Sequence, residues 1–134
     1  MSERDVEVFN DSLERCTRHP RFLDRFYGLF MASSGEVAQK FIHTDFKKQK
    51  RALRTSLYMM MLVTEGKGEW DVHVERIARR HSRSELDVKP ELYGLWLDCL
   101  IQAVKEFDPT FNRETESAWR GIMRPGIEFM RSKY

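Results

Sequence analysis

His81 is the residue whose type and position suggest chemistry most directly. It completes an i, i+3, i+4, i+7 stripe of apolar positions on a predicted helix, after Val74, Ile77 and Ala78. The remaining positions of this segment are strongly basic: Arg76, Arg79, Arg80 and Arg83. A neutral imidazole nitrogen in such a place can ligate a metal, although a histidine on an apolar face is more often a packed core residue.

A second candidate group is a basic run in the middle of the chain. It comprises Lys47, Lys48, Lys50, Arg51 and Arg54. The ordinary interpretation of such a run is a solvated helix face, and the functional alternative is contact with an acidic partner. No glycine-rich phosphate loop, zinc-type spacing or hydrolytic triad is apparent in the sequence.

The elements that must position these side chains are predicted to be helices. Apolar residues recur at helical spacing throughout, and no segment alternates convincingly with the period of two that is typical of strands. Expected helix starts are the capping box Ser2-x-x-Asp5, Pro20, Asp45, Pro90 and Asn112. Expected breaks are Ser33-Ser34-Gly35, Gly66 with Gly68, and Asp108-Pro109. Pro125 is expected to kink or locally break the last helix.

Length and composition limit the classes of protein to consider. The chain has 134 residues, of which 41% are hydrophobic and 33% charged, and this suits a single domain over 1–134. No apolar run approaches the ~18 residues of a membrane span, and the polar start lacks the apolar region of a secretory signal. The net charge of +2 gives no strong indication of nucleic-acid binding. Cys16 and Cys99 are expected to be free thiols in the cytoplasm, although they could pair.

Several motifs carry a family resemblance through their order and spacing. The segment Phe26-Tyr27-x-x-Phe30, followed by Glu36-Val37 and Phe41, resembles the second helix and corner of bacterial haemoglobins. The segment 76–81, followed by Pro90-Glu91-Leu92-Tyr93 and Leu100, resembles their proximal helix, and Ala118-Trp119 resembles the start of their last helix. Over roughly residues 6 to 130, the chain resembles single-domain bacterial globins and the globin domains of flavohaemoglobins and globin-coupled sensors. The resemblance implies an all-α globin fold, with helices packed around a haem pocket.

The resemblance also implies roles for particular residues. His81 would ligate the iron of a b-type haem, and Tyr27 and Gln49 would be the distal residues that donate to an oxygen ligand. The remaining haem contacts that we expect are Phe41, Leu53, Leu57, Val88, Tyr93 and Trp96. The chain departs from the family pattern at Gly35, where proline is frequent, and in a link from Phe41 to Gln49 that is about two residues shorter. Each of these side chains could also be ordinary core or surface.

The proximal side of the resemblance predicts a neutral histidine ligand. In flavohaemoglobin-like chains a tyrosine and a glutamate form a network around the proximal histidine, and a carboxylate there would give the imidazole anionic character. Tyr93 matches that tyrosine, but the position of the glutamate falls on Tyr134, and Glu128 lies almost two turns earlier. We therefore expect reversible gas binding rather than oxygen activation.

Three functions are compatible with these residues. The first is reversible binding of oxygen, with nitric oxide and carbon monoxide as further candidate ligands, for storage, delivery or detoxification. Such a protein could also act as a nitric oxide dioxygenase with an external reductase. The basic run could then contact the haem propionates or the reductase. The second is a haem-based gas sensor that signals to a partner protein. The third is a non-haem helical module that binds protein or nucleic acid through the basic run. The chain could be a monomer or a dimer.

Overall fold

The described part of the protein is built from α-helices. The computed structural model describes residues 2–64 and 70–134. These ranges contain seven helices and no strand: α1 (Glu3–Thr17), α2 (Phe22–Ser33), α3 (Gly35–Lys40), α4 (Phe46–Thr64), α5 (Trp70–His81), α6 (Glu91–Phe107) and α7 (Arg113–Ser132). The prediction of an all-α fold is confirmed.

Side-chain caps define where several helices begin. Ser2 and Asp5 form a reciprocal capping box at the start of α1, and Asn112 forms one with Thr115 at the start of α7. Asp45 accepts hydrogen bonds from the main-chain N–H groups of the first turn of α4. The predicted starts at these three places are therefore correct. Gly66 and Gly68, predicted to end α4, lie outside the described residues.

The last helix continues through Pro125, so the local break that we considered there is absent. A proline inside a helix removes one main-chain hydrogen bond. The buried residues on both sides of it, which include Ile122, Met123 and Ile127, pack into the core and offset that loss. The adjacent Gly126 allows a close approach of α4, because a Cβ atom there would lie 2.6 Å from the Cε atom of Met60.

Aromatic side chains join the first and last helices, α1 and α7. The rings of Phe9 and Trp119 meet edge to face with centroids 4.7 Å apart, and both are fully buried. The indole Nε1 of Trp119 donates to Ser12 over 2.9 Å, and Ser12 donates to the buried carboxylate of Asp108 over 2.6 Å. This hydrogen-bonded chain fixes α1 against α7 and against the turn that follows α6.

The two cysteines and the helix lengths can be compared with what the composition predicts. Cys16 and Cys99 are both buried and free, as expected for unpaired thiols. Burial raises the pKa of the Cys16 thiol to about 12. Of the helices within the described ranges, none combines the length and the apolar character needed to cross a membrane.

Candidate functional site

A cavity of about 450 Å³ lies between α4, α5 and α6. All helices except α1 contribute to its wall, together with the turns that follow α3 and α5. Most of the lining side chains are apolar, and the few polar ones come from different helices. A large apolar cavity with a small number of converging polar groups is the usual form of a cofactor site.

His81 lies on the wall of this cavity, at the last residue of α5. Its Nδ1 atom is 2.7 Å from the main-chain carbonyl of Ile77, one turn earlier in the same helix. Because a carbonyl can only accept, Nδ1 carries the proton and Nε2 keeps a free lone pair. Burial lowers the pKa of His81, and Arg80 beside it acts in the same direction. The imidazole is therefore held neutral, which is the form that ligates a metal.

Tyr27 and Gln49 meet at another part of the same wall. The Gln49 side-chain Nε2 donates to the Tyr27 hydroxyl oxygen over 3.2 Å. The Tyr27 hydroxyl is also 3.5 Å from the main-chain carbonyl of Gln49, a long contact. Burial raises the pKa of Tyr27 to about 12, so this phenol stays protonated and remains a donor at neutral pH. The two side chains predicted to face a gas ligand are thus brought together.

Most of the other predicted contacts also lie on the wall. Phe41 stands at the corner after α3, with its ring 5.5 Å from that of Tyr27 and 6.2 Å from that of Phe30. The other predicted residues on the wall are Leu53, Val88, Tyr93 and Trp96. Leu57 does not line the cavity: it lies one turn beyond Leu53 on α4 and is fully buried in the core.

Sequence reasoning missed two cationic residues on this wall, Lys40 and Arg80. The Lys40 ammonium donates to the main-chain carbonyl of Leu86 over 2.9 Å, which links the end of α3 to the turn after α5. Arg80 directly precedes His81, and this adjacency was a usable signal. Lys40 had no such signal, because its contact with residue 86 depends on tertiary structure.

The C-terminal tyrosine packs near the end of α5. The Tyr134 hydroxyl donates to the carboxylate of Asp87, and the guanidinium of Arg83 lies 4.8 Å from the centre of the Tyr134 ring. Glu128 is exposed on the outer side of α7. Within the described ranges, the hydrogen-bond partner of His81 is a main-chain carbonyl rather than a carboxylate.

The comparisons with known proteins agree with this architecture. Residues 26–126 match the globin family, and this match covers most of the chain, so the protein belongs to the globin family. Its structure is similar to a crystal structure of a protein from Pseudomonas aeruginosa PAO1 that is described as structurally highly homologous to a human haemoglobin. The two chains share 38% sequence identity with a TM-score of 0.91, over 97% of this chain and 98% of the other. No curated protein sequence matches the chain.

Proposed function

We propose that this globin binds one b-type haem through His81 and reversibly binds oxygen, with nitric oxide and carbon monoxide as further gas ligands. The observation that supports this most strongly is the neutral His81 imidazole on the wall of an apolar cavity that also holds the Tyr27–Gln49 pair. A haem iron in this family needs a single protein nitrogen, and Nε2 of His81 is free to provide it.

The residues present fit a haem in three respects. The wall offers aromatic and aliphatic contacts for the macrocycle, with Phe41 and Trp96 among them. Lys40 and Arg80 offer positive charge for the two propionate groups of a b-type haem. His81 is oriented by the Ile77 carbonyl, and such an outer hydrogen bond fixes the tautomer and the ring of a ligating histidine.

The protein's own residues would control how long a gas molecule stays. When bound, haem would supply an iron that can ligate a diatomic gas. Tyr27 would donate a hydrogen bond from its hydroxyl to a gas ligand that takes on partial negative charge, and the surrounding apolar wall would exclude competing water. One such hydrogen bond contributes about 1–1.5 kcal/mol, which corresponds to about a tenfold slower release.

The test of this proposal is replacement of the proposed iron ligand. We expect His81→Ala, expressed with excess haem, to retain much less haem and to lose the wild-type Soret spectrum. Addition of imidazole should restore both, because the small molecule can occupy the space left by the side chain. His43→Ala, which changes an exposed histidine after α3, serves as the control. Unchanged haem content and spectra in His81→Ala would overturn the assignment of the ligand.

The arrangement supports reversible binding better than oxygen activation. The partner of the His81 Nδ1 atom is the carbonyl of Ile77, and a neutral acceptor gives the imidazole little anionic character. We therefore propose storage, delivery or detoxification of a gas as the native task, with an external reductase required for any turnover of nitric oxide.

A further inference from the structure

A second concave site lies on the other side of α4 from the cavity. It is a groove of about 290 Å³ between the end of α1, the start of α2 and the first half of α4. Its floor is apolar, with Pro20, Phe22 and Leu23 contributing from the second helix and the turn before it. We call it the α4 groove.

One face of α4 makes this groove positive. Lys47, Lys50, Arg51 and Arg54 all line it, and their i, i+3, i+4, i+7 spacing places them on one side of the helix. Lys50 pairs with Asp24 of α2 over 2.7 Å. For the other three, no ion pair with a carboxylate is found in the described part of the chain. The groove therefore concentrates cations that have few internal partners.

His19 adds a further donor at the opposite edge. Its Nδ1 atom accepts a hydrogen bond from the main-chain N–H of Arg21 over 3.3 Å. In the neutral ring the proton then lies on Nε2, which can donate. His19 therefore lines the α4 groove together with the cations of α4, while its ring also packs edge to face against Phe107.

We propose that the α4 groove binds a small anion that carries two or more phosphate groups. Several cations around one concave site match the charge and the many acceptor oxygens of such an anion. Pro20 and Leu23, the apolar lining residues that are not fully buried, can contact an organic part of the molecule. The groove is compact, whereas a stable protein partner commonly covers about 800 Å² on each side, so a small molecule is the occupant that fits.

The groove shares α2 and α4 with the cavity. Asp24 and Lys50 link the two helices at the groove. Tyr27, about one turn after Asp24, and Gln49, directly before Lys50, link them at the cavity. An anion that draws Lys50 away from Asp24 would weaken the first link, and with it the connection between α4 and α2 at the groove. Since the second link belongs to the proposed gas site, this regulatory consequence rests on the proposed function.

The binding site can be tested without haem. We would titrate tripolyphosphate into the haem-free protein by calorimetry at constant ionic strength, with sodium sulfate and polyglutamate as comparison ligands. The variant Arg51→Gln/Arg54→Gln removes two groove cations. The matched control Lys48→Gln/Arg124→Gln removes two exposed cations that do not line the groove.

We expect the groove variant to weaken tripolyphosphate binding by about tenfold or more, and the control by less than about threefold, because a direct charged hydrogen bond is worth more than a distant charge. If both variants lost the same amount of tripolyphosphate affinity, binding would depend on the overall positive charge of the protein, and the proposed site would be overturned. Absence of saturable binding, or groove-dependent binding of polyglutamate alone, would also overturn it, the latter in favour of an acidic protein.

The regulatory consequence needs the haem-loaded protein. We expect saturating tripolyphosphate to change the oxygen dissociation rate by about twofold or more in the wild type and in the control variant, and to leave the groove variant unchanged. If tripolyphosphate binds in the groove but leaves the oxygen dissociation rate unchanged, the proposed coupling between the groove and the gas site would be overturned. A chain that takes up no haem would overturn the proposed function, while the titration of the haem-free protein would still decide the groove.

Discussion

The Gln49 side-chain amide donates a hydrogen bond to the hydroxyl oxygen of Tyr27 over 3.2 Å. This direction decides the roles of the two residues. The Tyr27 oxygen accepts this bond, and its own O–H donates only over a long 3.5 Å to the main-chain carbonyl of Gln49, so the proton can turn to a stronger acceptor in the cavity. Tyr27 is thus poised to donate into the cavity, whereas Gln49 orients it.

The first prediction follows from this division of roles. Tyr27→Phe should speed oxygen dissociation by about tenfold, the effect of one lost hydrogen bond. Gln49→Leu should speed it by only about two- to threefold, because the tyrosine loses its orientation and keeps its proton. The double variant should resemble Tyr27→Phe alone, since the two residues act through one donor. Stopped-flow displacement of oxygen by carbon monoxide measures these rates.

Tyr93→Phe is the matched control for this experiment. It removes the hydroxyl of another tyrosine that lines the cavity, so it tests whether any phenol there has the same effect. We expect its rate to stay within about twofold of the wild type. A Tyr27→Phe rate equal to the wild-type rate would show that Tyr27 does not contact the gas.

The second prediction concerns acid and His81. Burial lowers the folded-state pKa of His81 below its ordinary value of 6.5. Below pH 6.5 the unfolded chain takes up a proton that the folded protein does not, so the stability of the haem-free protein falls as the pH drops towards the folded-state pKa. The slope from this group is at most about 1.4 kcal/mol per pH unit.

Urea titrations of the haem-free protein at several pH values test this expectation. His81→Gln cannot take up the proton, and its free energy of unfolding should depend less on pH between 6.5 and the folded-state pKa. The difference between the two curves isolates His81 from the other titrating groups. Parallel curves for the wild type and His81→Gln would contradict the prediction.

The third prediction concerns the buried carboxylate of Asp108. Burial alone would raise its pKa, but hydrogen bonds from Arg15, Ser12 and Thr110 outweigh this and lower it from 3.8 to about 2. The charged carboxylate therefore contributes about 2 kcal/mol of stability above pH 3.8, which is lost as the pH falls through about 2. We expect Asp108→Asn to lower the free energy of unfolding by about 2 kcal/mol at neutral pH.

Asp98→Asn provides a comparison at the surface. Asp98 pairs with Arg120 over 3.2 Å, but its side chain is 69% exposed. Solvent screens such a pair, so the expected loss is less than about 0.5 kcal/mol. Similar losses for the two aspartates in urea denaturation would show that the network around Asp108 is not important for stability.

The sequence predicted the helices well because local rules decide where they begin. Asp45 and Asn112 cap their own helices through neighbours in the chain, and this information is present in a few residues. Pro125 was harder to predict, because the packing of α7 on both sides of it decides whether the helix continues. The local propensity of one residue does not contain that information.

The candidate site likewise contains residues that a local pattern predicts and residues that only the tertiary structure brings to it. Residues that follow the apolar stripe of a helix, such as Leu53 and His81, line the cavity. Leu57 has the same spacing and enters the core instead. Met59 and Met60 line the cavity further along α4, so the wall follows a face of the helix that turns away from Leu57. The bond from Lys40 to the carbonyl of Leu86 connects residues far apart in sequence, and no local pattern could indicate it.

The last prediction concerns the proximal side of the cavity. His81 Nδ1 donates to the carbonyl of Ile77, and Glu128 is exposed on α7. A carbonyl acceptor leaves the imidazole neutral, whereas a carboxylate acceptor would push electron density towards the iron. We therefore expect the iron–histidine stretch of the ferrous, ligand-free protein, measured by resonance Raman, to lie in the range of neutral histidine ligands.

Glu128→Gln should leave that frequency unchanged, because the charge it removes does not reach His81. Tyr134→Phe offers a second test, since the resemblance predicts the glutamate at the position of Tyr134, and the Tyr134 hydroxyl donates to Asp87. It too should leave the frequency unchanged, while loosening the turn after α5 and speeding haem loss. A peroxidase-like frequency that falls in Glu128→Gln would show that the carboxylate does act on His81, and would favour oxygen activation over reversible binding.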